Sequence, residues 1–266
     1  MLNAKRQRRN RKVRKENQTR LHAFHSTMIQ PVQNGKLDYQ AVILAGGLGT
    51  RMRPVTETIP KPMILVCGKP FLEHQLVLLR KNGIERVLLL VSYLGEQIEQ
   101  YFQQGNSINM KIGYSYESSP LGTGGALKNA SSKLEEKFLL LNGDTFLDVH
   151  YAAVIADFLR YKPKAVIVAR KSPDMPVPNN LAVSAHGQVT AYQKRNPDNM
   201  TCIDAGAIVL SRDVLDEIAP AQVCSLEEQI FPKLIQRGEM RAWITAEPFF
   251  DMGSPAGLQA LSEKLA

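Results

Sequence analysis

Cysteine is scarce in this 266-residue chain: Cys67, Cys202 and Cys224 are odd in number, far apart and in no paired motif. A disulfide framework is thereby excluded, and free thiols in a reducing, cytoplasmic setting are the expectation. Histidine is also thin. Of five, only His22 and His25 share a metal-like spacing, and both fall in a polar stretch where a solvated pair is expected. Long apolar runs are missing, the longest, such as Val87 to Val91, being strand-sized, so no membrane span is expected. Two familiar glycine motifs fail as well. Gly47 and Gly49 lead to Met52 where a dinucleotide fingerprint needs a third glycine, and Gly68-Lys69 has Met63 before it and Pro70 after it, against the phosphate-loop pattern.

A charge excess is absent from most of the chain. The formal net charge is +8, yet residues 1–20 hold nine of the 33 Lys/Arg and one of the 25 acids, leaving 24 of each sign beyond them. The basic balance therefore says nothing about the ligand of the folded part, and nucleic acid is not expected there. Residues 1–38 are predicted to be a disordered basic arm and 39–266 one folded domain. The arm lacks the apolar core of a secretory signal, overlaps in composition with a transit peptide apart from scarce serine, and suits contact with RNA or anionic lipid. A solvated tail, or upstream sequence before a start at Met28, is the plainer reading.

What is present is an alternation of strand and helix signals from Gln40 onward, which predicts an α/β domain with a largely parallel sheet. Ala41 to Ala45 reads as a buried strand entering a turn with Gly46, Gly47 and Gly49. Phe71 to Asn82 has helical spacing and a stop at Gly83. Further strands are expected at 87–92, 111–117, 138–141, 165–169, 203–210 and 240–246, and helices at 96–104, 127–134 and 152–161. A second glycine turn, Pro120 to Ala126, precedes the helix of 127–134. His186-Gly187 marks a hairpin between 181–184 and 188–194, suited to a flap with Lys194 at its base. Ser225-Leu-Glu-Glu228 is a capping box for a helix kinked at Pro232, and a last helix begins near Pro255.

The first glycine turn carries chemistry. Bare amides beside Arg51, Arg53 and Lys61 make a cradle for a nucleoside triphosphate. Asp144 leaves a buried strand at its carboxyl end, where open α/β sheets collect ligands. Asp251 follows apolar residues and borders a glycine in the same way. Two such carboxylates suffice for Mg²⁺, which keeps waters and phosphate oxygens as its other ligands.

Taken together, Leu44-Ala-Gly-Gly-Leu-Gly-Thr-Arg-Met-Arg53, Pro60-Lys-Pro62, Gly68-Lys-Pro70, Leu121-Gly-Thr-Gly-Gly125, Asn142-Gly-Asp144 and Phe250-Asp-Met-Gly253 resemble the sugar-1-phosphate nucleotidyltransferase family over roughly residues 40–262. Short length and the Asn-Gly-Asp-Thr segment resemble its compact mannose- and heptose-1-phosphate guanylyltransferases. The resemblance implies a Rossmann-like nucleotide-diphospho-sugar transferase fold, a mixed, mostly parallel sheet flanked by helices with a β-hairpin flap. It also implies in-line attack of a sugar phosphate on the α-phosphorus of an NTP, with Mg²⁺ as cofactor. By resemblance Arg51 and Lys61 are catalytic, Arg53 being second to Arg51. Leu44, Ala45, Gly46, Gly47, Gly49, Thr50, Gly122 and Thr123 would hold nucleotide. Lys194, Gln193, Asp204 and Glu117 would hold the sugar phosphate, Glu117 serving nucleotide or sugar, and Asp144 and Asp251 the metal. GTP with mannose or D-glycero-D-manno-heptose 1-phosphate is the expected pair, and a homo-oligomer is compatible with it.

Departures from the family pattern are informative. Gln193 stands where many relatives have glutamate, which removes a charge and adds a donor, and Asp204 stands where many have asparagine. Sugar choice therefore does not transfer. Thymidylyl, uridylyl or cytidylyl transfer keeps the same chemistry, and a molybdopterin nucleotidyltransferase shares the Leu-Ala-Gly-Gly start, although Leu121 to Gly125 and Asp251 to Gly253 fit sugar acceptors better. A non-catalytic sensor or scaffold is the reading from another class; retention of Arg51, Lys61 and both aspartates speaks against it.

Overall fold

The computed structural model describes residues 36–171, 178–193 and 199–266, with the backbone of Val32–Gln33. Contacts divide the chain into Met1–Gly35 and Lys36–Ala266. Residues 1–31, 34 and 35 of the expected arm, with His22, His25 and Met28, lie outside the described residues, as do Lys194, Pro173 and Pro176; the end of the expected arm, Lys36 to Asp38, belongs to the second unit, with Leu37 buried and its N donating to Gly83 O at 2.9 Å.

The second unit runs β1 (Gln40–Leu44), α1 (Phe71–Lys81), β2 (Arg86–Val91), α2 (Gly95–Phe102), β3 (Lys111–Tyr116), α3 (Gly122–Asn129), β4 (Lys137–Asn142) and β5 (Thr145–Leu147). It continues through α4 (Tyr151–Tyr161), β6 (Ala165–Arg170), β7 (Leu181–Val183), β8 (Val189–Tyr192) and β9 (Ile203–Ser211). Then follow α5 (Phe231–Gln236), β10 (Met240–Thr245), β11 (Phe249–Asp251) and α6 (Pro255–Leu265). Seven strands form one sheet in the order β10-β6-β9-β4-β1-β2-β3. Only β9 runs against its neighbours; the remaining pairs are parallel.

Burial explains why the central strands show no alternation in sequence. Ala41 and Ile43 pack into a core with Phe71, Leu76 and Ile155, whereas Val42 enters a second core with Leu127, Leu215 and Phe231. A strand covered on both faces has no polar side, the condition of parallel sheets wrapped by helices. The expected stop of α1 is met: Gly83 has φ 80°, and Ile84 N donates to Leu79 O at 3.0 Å, closing the turn.

Three local expectations are corrected. Helix α3 starts at Gly122 instead of Leu127 and ends at Asn129, because the carbonyl of Cys224 accepts from Gly124 N (2.9 Å) and Gly125 N (3.1 Å) and so caps a first turn made of the glycines themselves. After Ser225 the chain makes a wide π turn over Leu226–Ile230 before α5, so Pro232 sits in the first turn of α5 and kinks nothing. Ser225 Oγ does accept from Glu228 N (3.2 Å), but Ser225 N in return donates to Gln229 Oε1 (3.1 Å), not to Glu228. The hairpin β7–β8 is present, with its turn docked on β10 through Gly187 O, which accepts from Ala242 N at 2.8 Å. Among the described residues no helix is long and apolar enough to cross a membrane, and all three cysteines are free.

Candidate active site

Leu44 and Asn142 are paired at the carboxyl ends of β1 and β4, and the two loops that follow open into a cleft of ≈ 390 Å³. The second loop is built by close approach. Gly143 N donates to Leu44 O at 3.1 Å, and a Cβ at residue 143 would lie 2.2 Å from that oxygen, so only glycine lets the turn seat. From below, the buried Gln75 of α1 donates Nε2 to Asn142 O (2.9 Å) and Thr145 O (2.7 Å). The first loop is held by Ser92 Oγ, which donates to Gly46 O at 2.6 Å. Both loops therefore present backbone that is fixed before any ligand arrives.

Asp144 emerges from this turn against Lys61. Lys61 follows Pro60 in a 3₁₀ turn, is only 7% exposed, and places Nζ 2.6 Å from Asp144 Oδ2. A nearly buried ammonium needs such a partner, and the short distance marks a charge-assisted bond. Asp251 reaches the same place through the β5–β11 ribbon, where it lies opposite Thr145. Met252 N also donates to Asp144 O at 2.8 Å. Asp251 Oδ1 accepts from Gly253 N (2.7 Å), and its Oδ2 lies 4.0 Å from Arg51 Nη1 on the exposed side. The two partly exposed carboxylates thus come from neighbouring backbone, and hard oxygens of this kind are the donors a divalent cation takes alongside water and phosphate.

Of the nucleotide-side candidates, Leu44, Ala45, Gly46, Gly47, Gly122 and Thr123 line the cleft together with Lys61, Asp144 and Glu117. Gly49, Thr50 and the exposed Arg53 do not; Gly49 packs on Thr56 and Lys61. Glu117 continues β3, accepts from Leu121 N at Oε2 (3.1 Å), and turns Oε1 toward Gly46. Burial pushes its carboxyl above the ordinary value, partly offset by the Leu121 N–H.

Asp204, near the start of β9, does not line this cleft; it lines a small cavity next to it, which shares Leu44, Asn142 and Glu227 with the cleft. Its Oδ2 accepts from Tyr192 OH (3.0 Å), its Oδ1 from Gly206 N (2.8 Å), and its own N–H is bonded to Asn180 Oδ1 (2.8 Å). Burial, followed by the charges of Asp204 and Glu227, raises the Tyr192 hydroxyl far above its usual value, so it stays a proton donor. Gln193 is exposed and bonds by its backbone to Asn180 O. Glu227, on the wide turn before α5, lines the cleft as well.

With this geometry in view, the family model described as Nucleotidyl transferase matches residues 40–266. The chain belongs to the nucleotidyl transferase family. A D-glycero-alpha-D-manno-heptose 1-phosphate guanylyltransferase of Campylobacter jejuni is 33% identical over 216 residues, covering 81% of this chain and 95% of that one. A Mycobacterium tuberculosis mannose-1-phosphate guanylyltransferase is 32% identical over 81% of this chain and 61% of its own length. The crystal structure of HddC from Yersinia pseudotuberculosis complexed with GMP-PN superposes with a TM-score of 0.76 at 32% identity, covering 86% of this chain and all of that one.

Several residues that shape this nucleotidyl transferase's cleft were not singled out from sequence as site residues. Gln75 and Ser92 brace the two loops, and Glu227 enters the wall. Gln75 offered one signal, a polar side chain amid the apolar positions of a helix; Glu227 was visible only as part of a capping box.

Proposed function

We propose that this chain transfers GMP from GTP to a manno-configured sugar 1-phosphate, mannose or D-glycero-D-manno-heptose, giving the GDP-sugar and pyrophosphate. The observation that carries the reading is the nearly buried Lys61–Asp144 pair in a glycine-lined cleft; Asp251, on the backbone next to Asp144, and its neighbour Arg51 lie outside the cleft lining. In the reaction a phosphate oxygen of the acceptor attacks the α-phosphorus as the bond to the β-phosphate breaks. Positioning and charge neutralisation do most of the work in such a transfer. The loop amides of Gly46 and Gly47 border the nucleotide, Lys61 stands at the reacting phosphate, and Arg51 at the departing pyrophosphate. Asp144 and Asp251 would hold Mg²⁺, which when bound neutralises phosphate charge.

Guanine is favoured by Glu117. An ionised carboxylate only accepts, and guanine presents adjacent N1–H and N2–H donors, where uracil and thymine present one N–H between two carbonyls. This assigns Glu117 to the nucleotide in preference to the sugar. Acceptor choice follows the names of the relatives, and Lys194 keeps its proposed phosphate contact on the strength of the family resemblance. The domain is taken as 39–266, with the basic arm accessory, in accord with a family match that begins at residue 40; free thiols accord with a cytoplasmic setting.

The test is a panel of the common NTPs against hexose and heptose 1-phosphates, with Mg²⁺ and pyrophosphate release as readout. Turnover is expected to be highest with GTP and a manno sugar. Folded protein that releases pyrophosphate with no pair would sink the proposal.

A further inference from the structure

Glu227 belongs to two spaces at once. It lines the main cleft beside Thr123 and Asn142, and it also lines a small cavity of ≈ 20 Å³ behind Leu44, shared with Asp204 and Phe231. Its position is built from both sides. Thr123 Oγ1 donates to Glu227 Oε2 at 2.8 Å, Ser225 Oγ donates to the same oxygen at 2.7 Å, and Leu226 N closes the loop by donating to Thr123 Oγ1 at 2.9 Å. The π turn over Leu226–Ile230 sets the glutamate on this wall.

The small cavity has room for about one water-sized group, and it has carboxylates from two separate elements on its lining. Carboxylates only accept, so the group that suits this place is a hydroxyl.

Resting on the function proposed above, we infer that Glu227 is a specificity-determining residue that accepts a hydrogen bond from a ring hydroxyl of the acceptor sugar, beside the small cavity whose lining it shares with Asp204. Its carboxylate supplies on the wide turn the acceptor that Gln193 does not supply as a pure acceptor. Thr123 couples it to the nucleotide loop, so the sugar end of the site is positioned by the nucleotide end.

The experiment compares the full-length parent, Glu227→Gln and Glu227→Asp, using GTP, whichever sugar 1-phosphate the parent accepts, and a set of its monodeoxy analogues. Loss of a charged acceptor for a hydroxyl is expected to raise the sugar-phosphate KM about tenfold to a hundredfold in Glu227→Gln while the GTP KM moves less than about threefold. One deoxy analogue should be strongly rejected by the parent and should lose little more on going to Glu227→Gln, and Glu227→Asp should recover part of the discrimination. A shift in the GTP KM instead would assign Glu227 to the ribose or base and overturn the inference. So would a drop in melting temperature with both KM values unchanged, which would make it a brace for Thr123 alone. An inactive parent would fail the underlying reading, whereas an active parent with unaltered deoxy discrimination in Glu227→Gln fails this inference only.

Discussion

The two halves of the cleft are made of different material. On the side of β1 to β4 the wall is mostly backbone: Gly46, Gly47, Gly122 and Gly143 present main chain, and the polar side chains behind it, Ser92 and Gln75, point at carbonyls to hold that main chain still. On the side of β9 and the wide turn side chains take over: Glu227 lines the cleft and, with Asp204, the small cavity beside it, and Tyr192 donates to Asp204, on a scaffold that includes the reversed strand of the sheet. Phosphate chains are alike in every nucleotide and are served by amides and glycine turns. Sugars differ in hydroxyl placement, which only side chains can read. The difference also predicts how each half fails when altered: the first by losing its shape, the second by losing its preference.

The most severe test lies at the junction of the halves. Asp144→Asn should lower turnover by about 10³-fold or more, because it removes the charge facing both Lys61 and the proposed cation. Chemical denaturation should show a smaller loss, about 1–3 kcal/mol, since the amide oxygen can still accept from the buried ammonium. Unfolding of the variant would make Asp144 a fold residue and remove its support as a ligand. Next in size is Gly143→Ala. With its Cβ built 2.2 Å from Leu44 O the turn must shift, at a cost of about 3 kcal/mol. A stable, fully active Gly143→Ala would break the claim that this half is defined by backbone.

The mildest substitution, Glu117→Gln, sharpens the contrast by altering a side chain within the backbone half. Preference for GTP over UTP should fall about tenfold, measured as the ratio of kcat/KM. Stability should move the other way. Burial raises the folded-state pKa of Glu117 above its unfolded value, so the cost of its charge appears as pH rises between the two and is absent below the unfolded value. Glu117→Gln escapes that cost, and its advantage over the parent in denaturation midpoints should be larger at pH 7 than at pH 4. An equal difference at both pH values would contradict the assigned burial.

The same contrast governs what could be read without coordinates. Backbone function leaves glycine in the sequence, and a strand buried on both faces leaves a run such as Ala41 to Leu44; hence the strands of the parallel half, though not their order, the two loops and Asp144 were legible. Asp251 could be suspected but not placed, because its approach to Asp144 depends on pairing across more than a hundred residues. Glu227 showed only as part of a local capping box, and its place in the site was hidden for the same reason, its partner Thr123 being 104 positions away. The start of α3 was misjudged because glycine ordinarily weakens a helix, while here a carbonyl from Cys224 caps the glycine turn. In each case a local rule was overruled by a distant contact.

One such contact reaches the end of the chain. Ser254 caps α6 by accepting from Gly257 N at 3.1 Å, and at Gly257 the helix lies so close to β11 that a Cβ would sit 1.8 Å from Asp251 O. The three-residue ribbon that carries Asp251 acts as a gauge, since a slip of one residue against Thr145 would turn Phe250 toward Asp144 and the carboxylate away. The final helix is the stop that keeps the gauge at its setting. Trimming or loosening the carboxyl terminus therefore detunes the position of the Asp251 carboxylate, far along the chain from the loop it serves.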